Sequence, residues 1–255
     1  MVGFILGTSE GREFLSLANK YTDRIVVSTA TSYGGDLLKE YKIHYLNTEP
    51  LDIEGLKSLI TRFNIKALVD ASHPYAKEVS KNAREACSDV NIQYVRYERP
   101  GVLKGIEDRR IIRVRSYEEL ESILNRIDGN ILNTTGSRNI KKIMSLNIKN
   151  RIIHRVLPSK EVMDELLFSG IRPEDIVAIK GPIGYSLNKA FIEEYNAKAI
   201  ITKDSGVQGG ALEKVKSALD SNVDVIIIER EDSENTNIFT KEEEVINYLR
   251  ENNYI

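Results

Sequence analysis

The sequence has no tryptophan, one cysteine (Cys87), three methionines and three histidines in 255 residues. A single cysteine excludes an internal disulfide and any cysteine-held zinc or iron–sulfur centre. The histidines, His44, His73 and His154, stand far apart, and no His/Asp/Glu spacing resembles a metal site. No apolar run approaches the roughly 20 residues that a membrane-spanning helix requires. Met1-Val2-Gly3-Phe4-Ile5-Leu6 enters an apolar strand with no basic leader, so a secretory signal is not expected. Nor is one sign of charge in excess. Lys+Arg 36 against Asp+Glu 38 leaves a formal net charge of −2, which argues against a protein that coats nucleic acid. The expectation is a soluble cytoplasmic protein with neither a nucleic-acid nor a membrane partner; the oligomeric state is not set by the sequence, a monomer being favoured.

What is present is a globular composition, 41% hydrophobic and 29% charged, too apolar for a disordered chain. The length suits two domains of about 150 residues or one large α/β unit. Charge is uneven along it. Residues 231–255 hold seven acids against Lys241 and Arg250, a balance of −5, so the body is +3, and residues 76–115 alone are +4. Either this is a solvated surface with an acidic terminal helix, or an anionic ligand is held near the middle of the chain.

Short β-branched runs alternate with amphipathic stretches, the pattern of βαβ units and a parallel sheet. Strands are expected at Val2–Leu6, Arg24–Ser28, Lys42–Leu46, Ala67–Asp70 and Gln93–Arg96, then at Ile111–Val114, Asn130–Asn133, Arg151–Val156, Ile176–Ile179, Ala199–Thr202 and Asp224–Ile228. Helices fit between them at Ser9–Asn19, Leu51–Phe63, Tyr75–Asp89, Tyr117–Ile127, Ile140–Leu146, Lys160–Phe168, Leu187–Tyr195, Gly210–Leu219 and Lys241–Glu251. The Pro100-Gly101 turn marks a boundary. Two Rossmann-like parallel-sheet α/β domains follow, 1–97 and 98–255, with an interdomain cleft.

Ligands of such sheets bind beyond the carboxyl ends of the strands. After the first strand comes Gly7-Thr8-Ser9-Glu10-Gly11-Arg12. It pairs a glycine at the strand end with a helix N-terminus, which favours a pyrophosphate. The G-x-x-x-G spacing is shorter than the full G-x-G-x-x-G fingerprint and also suits an ordinary βα turn. Ser28-Thr29-Ala30-Thr31 ends the second strand without the acid that holds an NAD ribose, which tilts the cofactor towards NADPH, although no arginine stands there. Asp70-Ala71-Ser72-His73-Pro74-Tyr75-Ala76 ends the fourth. Pro74 extends His73 and is placed to open the next helix. His73 and Tyr75 are candidates for cofactor contact, and His73 for a proton donor if one is needed.

The second domain repeats the arrangement three times. Asn133–Asn139 carries Ser137 and Arg138, Ile179–Gly184 carries Lys180, and Thr202–Gly210 carries Lys203, Asp204, Ser205 and Gly206. Each loop holds a cation at a strand end, a wall suited to carboxylates or phosphates. Tyr185 and Lys189 spell the Y-x-x-x-K of short-chain dehydrogenases, a rival carbonyl-reductase reading. Twelve tyrosines make such a pair expected by chance, and Tyr185 is taken as structural. A further alternative is a non-catalytic dinucleotide-sensing module. No G-x-S-x-G elbow occurs, and Cys87 lies inside a helix as a core residue.

Taken together, these stretches resemble the precorrin-6A and cobalt-precorrin-6A reductases of cobalamin biosynthesis. The likeness runs through Leu6–Arg12, Ser28–Gly34, Asp70–Ala76, Asn82–Cys87, Tyr97–Pro100, Thr134–Arg138, Arg155–Pro158, Lys180–Pro182 and Thr202–Gly206. D-A-S-H-P-Y-A and T-K-D-S-G are its specific parts. Leu6-Gly7 stands where the family often has Gly-Gly, and Gly181-Pro182-Ile183-Gly184 where it usually has G-P-F-S. The resemblance implies a reductase that passes a hydride from NADPH, or NADH, to one double bond of a ring-contracted tetrapyrrole. It also implies that the substrate's many carboxylates meet the cationic loops.

Overall fold

The computed structural model describes residues 1–7, 10–230 and 238–255. In chain order the elements are β1 (Val2–Leu6), α1 (Gly11–Ala18), β2 (Ile25–Ser28), α2 (Ser32–Asp36), β3 (Tyr45–Asn47), α3 (Ile53–Arg62), β4 (Ala67–Ala71), α4 (Lys77–Asp89) and β5 (Gln93–Tyr97). They continue with β6 (Ile111–Val114), α5 (Leu120–Leu124), β7 (Asn130–Asn133), α6 (Ile140–Met144), β8 (Ile152–Val156), α7 (Lys160–Phe168), β9 (Ile176–Ala178), α8 (Tyr185–Glu194), β10 (Ala197–Lys203), α9 (Ala211–Asp220) and β11 (Asp224–Ile228). Last come β12 (Ile238–Phe239) and α10 (Glu242–Glu251).

The chain forms two compact units, Met1–Pro100 with Ser233–Ile255, and Gly101–Asp232. The units divide between Pro100 and Gly101, where the sequence suggested 97/98, and the C-terminal segment, expected in the second domain, falls in the first unit. There β12 pairs with β5, and α10 buries Val245, Ile246 and Leu249 in the core that holds Phe14 and Tyr97. Each unit carries one six-stranded sheet, ordered β3-β2-β1-β4-β5-β12 and β9-β8-β7-β10-β11-β6, with every pairing parallel. In both, the winding reverses beside the inner strand, at β1/β4 and at β7/β10.

Central strands β1 and β4 are buried along their whole length because helices cover both faces. Phe4 and Val69 pack in one core layer, and Ile5 and Leu68 pack on the other face with Leu56, Ile60 and Cys87. Burial raises the Cys87 thiol to about 12, so it is no nucleophile at neutral pH. Helices stop by a repeated device. Asn64, Asn91, Asn222 and Asn253 take left-handed φ two residues beyond α3, α4, α9 and α10. The following N–H groups of Ile65, Ile92, Val223 and Tyr254 return to Ile60, Cys87, Ala218 and Leu249 carbonyls, the closure of a Schellman cap.

Some elements differ from expectation. β3 is Tyr45–Asn47, leaving His44 outside the strand and exposed. α4 begins at Lys77, because Pro74 occupies a turn closed by the Ala76 N–H on the His73 carbonyl at 2.7 Å, a position that favours proline. α2 and β12 were not foreseen. Leu249→Ala should lower stability by about 2–5 kcal/mol in a urea titration followed by circular dichroism. A loss below about 0.5 kcal/mol would refute the place of α10 in the first core.

Candidate functional site

In the first unit the loops after β1 and β4 meet at the reversal. A Cβ on Gly7 would lie 3.0 Å from Glu10 Oε2, tight against that carboxylate, and in ordinary contact with the His73 nitrogen at 4.0 Å. Thr8 and Ser9 lie outside the described residues. Glu10 is buried and pairs with buried Arg99. Its second oxygen, Oε2, has no partner among the described residues. Gly11 opens α1 and is buried against Leu38, while Arg12 on the same turn is exposed.

At the end of β2 the Ser28 and Thr29 hydroxyls are engaged. Ser28 Oγ accepts from Asn47 Nδ2 at 3.1 Å, and Thr29 Oγ1 donates to the Thr31 carbonyl at 3.1 Å. Ala30 is exposed, and Thr31 caps α2 through the Gly34 N–H. No carboxylate stands between Ser28 and Thr31.

Asp70, fully buried, fixes the loop after β4. Its oxygens take the Arg96 guanidinium at 3.0 Å, the Ser72 N–H at 2.9 Å and the Tyr94 hydroxyl at 2.8 Å. Burial first, then the Asp70 charge, pushes the Tyr94 phenol far above its usual range. Arg96 also donates to the Asp70 and Ser72 carbonyls. His73 and Tyr75 then sit half-buried on the rim, ring centroids 5.8 Å apart. His73 Nδ1 accepts from the Tyr75 N–H at 3.2 Å, which puts the proton of a neutral ring on Nε2.

The second unit builds its rim in the same way. Asn133 Oδ1 accepts from the Thr135 N–H at 3.0 Å and its Nδ2 donates to His154 Nδ1 at 3.1 Å. Burial holds His154 down at about 4, so it stays neutral and structural, within β8 as expected. Asp204 Oδ1 accepts from Gly206 N–H at 3.2 Å and from Val102 at 3.0 Å, and Oδ2 from Leu103 at 2.9 Å. Gly206 has φ +73° and ψ −173°, backbone that essentially only glycine adopts. Asp70, Asn133 and Asp204 thus each close a turn onto the N–H two residues on, at the ends of three of the four reversal strands.

Around these turns Ser137 and Lys203 are half-buried, Ser205 and Gly206 are buried, and Arg138 is exposed. Arg138 and Lys203 share the β7/β10 reversal, whereas exposed Lys180 follows edge strand β9. Open clefts of about 420, 420 and 410 Å³, around Asp108 and Arg113, around Arg151 and Asp175, and around Asn125 and Asn150, lie at the opposite, amino-terminal ends of the strands. Tyr185 donates to Asp220 at 2.9 Å, which raises its phenol, and Lys189 pairs with Glu193. Short-chain chemistry needs the opposite shift.

Sequence reasoning missed the buried partners. Arg96 and Arg99, counted in the +4 stretch at 76–115, neutralise Asp70 and Glu10 and are not part of a free cationic surface. The signal available was Asp70 closing an otherwise apolar strand. Among the described residues no cluster of His, Cys, Asp or Glu is arranged to hold a metal, and no helix is long and apolar enough to cross a membrane.

The family model described as precorrin-6x reductase CbiJ/CobK matches residues 2–250. The cobalt-precorrin-6A reductase of Methanocaldococcus jannaschii is 38% identical over 225 residues, 88% of each chain. That of Salmonella typhimurium is 32% identical over 228 residues, 88% of this chain and 85% of the relative. That of Priestia megaterium is 29% identical over 98% of both. A solved structure of CobK precorrin-6A reductase superposes with a TM-score of 0.75 over 98% of this chain and 97% of its own, at 18% identity, a likeness of fold.

Replacing Asp70 by Ala leaves the Arg96 charge buried and unpaired, so a loss of about 3–5 kcal/mol in urea stability is expected. A loss under about 1 kcal/mol would show that the loop after β4 does not depend on this pair.

Proposed function

The chain belongs to the precorrin-6x reductase family, and on that premise we propose that it reduces cobalt-precorrin-6A to the 6B form with NADPH, in the building of the corrin ring. The observation that carries the reading is the β7/β10 reversal, where Arg138 and Lys203 stand on adjacent strand-end loops. Two cations at one rim suit a macrocycle that bears many carboxylates. The cobalt form is favoured by the names of the relatives at 38% and 32% identity.

The first unit fits a dinucleotide. At the β1/β4 reversal, Gly7 leaves room beside the first turn of α1, and Glu10 Oε2 is a buried acceptor with no donor among the described residues, suited to a ribose hydroxyl or a carboxamide. Gly7, Thr8, Ser9, Gly11 and Arg12 are assigned to the pyrophosphate side. Ser28, Thr29 and Ala30 are assigned to the ribose, with His73 and Tyr75 on the rim. NADPH is preferred over NADH because no carboxylate at the end of β2 would repel a 2′-phosphate.

When bound, the dinucleotide supplies the hydride. The protein's own part is placement and charge. Arg138, Lys180 and Lys203 hold substrate carboxylates, with Ser137, Ser205 and Gly206 lining the same loops. Asp204 positions Lys203 by clamping the 102–103 backbone. His73 Nε2 is the proposed proton donor should the product need one from a side chain.

Anaerobic mixing with cobalt-precorrin-6A should oxidise NADPH, seen at 340 nm, with a higher kcat/KM than for NADH. No oxidation with verified substrate would reject the activity. Lys203→Ala should raise KM about tenfold or more, the cost of one charge-assisted bond, while Tyr185→Phe should turn over normally. Loss of turnover in Tyr185→Phe would restore the short-chain reading.

A further inference from the structure

Helix α9 turns a stripe of Ala211, Lys214, Val215 and Ala218 towards the sheet, and all four are buried. Lys214 is 8% exposed, yet its ammonium makes no hydrogen bond or ion pair among the described residues. A second orphan lies on the same face. Ile200, Leu132 and Ile153 pair in one row across β10, β7 and β8 and pack against Ala211 and Val215. Two residues further along their strands, Thr202 and Arg155 point to that same face. Thr202 is fully buried and its Oγ1 has no partner among the described residues. Arg155 is oriented by its bond to Asn188 Oδ1 at 2.6 Å, and Asn188 is in turn held by the Ile183 and Gly184 carbonyls.

We propose that Lys214, Thr202 and Arg155 form a buried oxyanion subsite in the second unit, which accepts one carboxylate or phosphate group of a bound ligand. A buried ammonium and a half-buried guanidinium beside an unsatisfied hydroxyl are unfavourable without a counter-charge. The first turn of α9 adds its positive end. The charged groups acting on Lys214 are Arg155 from β8, Lys203 from the end of β10 and Glu213 beside it on α9, and only Glu213 is acidic. Burial first, then Arg155 and Lys203, lowers the Lys214 ammonium to about 7, and burial lowers Arg155 to about 10. An oxyanion would reverse both shifts. The subsite deepens the reading of this unit as the anion-holding one, and rests on it only for the identity of the ligand.

The test is Lys214→Met in the full chain, with calorimetric binding of sulfate at pH 6.5 and 8.5, between which sulfate does not titrate, and of a porphyrin octacarboxylate and NADH at pH 6.5. Wild type should bind sulfate about 20-fold more tightly at pH 6.5, because the free ammonium is mostly protonated there and mostly neutral at 8.5. The variant should bind weakly at both. The organic probe that loses tenfold or more affinity in the variant identifies the source of the oxyanion, macrocycle or dinucleotide. Sulfate affinity and pH profile unchanged by Lys214→Met would overturn the proposal. Loss of porphyrin binding in wild type, with the sulfate result intact, would instead reject the substrate reading and leave the subsite standing.

Folding supplies a second readout. The folded Lys214 titrates below its unfolded value, so the unfolded chain binds the extra proton between the two, and this group's contribution to stability falls as pH falls. Ligand-free Lys214→Met should therefore have a Tm at pH 6 equal to or above that of wild type. A lower Tm would make Lys214 a structural residue and likewise overturn the proposal.

Discussion

A parallel sheet covered on both faces must reverse its winding, because right-handed crossovers in one direction place every helix on one side. At the reversal the two central strands send their following segments to opposite faces, and a crevice opens between the loops. In the first unit those strands are β1 and β4, in the second β7 and β10. Gly7, His73, Arg138 and Lys203 lie at these two reversals, whereas Ser28–Ala30 end β2 and Lys180 follows edge strand β9. Gly7 and His73 approach each other because their strands are neighbours, and so do the loops of Arg138 and Lys203.

A crevice of this kind is useful only if its walls hold still. Asp70, Asn133 and Asp204 do this with the same local geometry, each carboxylate or amide oxygen turning the chain by accepting an N–H two residues ahead. Each is further tied to a distant element: Asp70 to Arg96, Asn133 to His154, and Asp204 to the backbone at 102–103. Burying these groups without partners would be costly, so each network is satisfied as a set. These three polar side chains therefore act mainly on backbone shape.

Most strands were legible because their signal is local. Val2–Leu6 and Ala67–Ala71 are apolar runs bounded by turn residues, and inner strands of parallel sheets read that way. β12 was not, since two residues carry no periodicity and its place is set by the edge of β5. Nor was α2, whose Gly34 and Gly35 are poor helix formers held by a Thr31 cap and by burial. The loops that line the candidate site were found by position. Their buried supports were missed, since Glu10, Arg96, Arg99 and Lys214 read as ordinary charged surface residues. Pairing and desolvation are properties of the assembled sheet, and a charge count along the chain does not contain them.

The return of the chain to its first sheet imposes an order on synthesis. A nascent chain that has emerged through Pro100 holds five strands of that sheet but neither β12 nor α10, so one flank of the Phe14–Tyr97 core stays open to water. The segment Gly101–Asp232 carries all six strands of its own sheet and has what it needs to close before the last helix is made. Although domains generally fold from the N-terminus onwards as they emerge, here the unit translated first is completed last. The exit of α10 from the ribosome is the event that seals it.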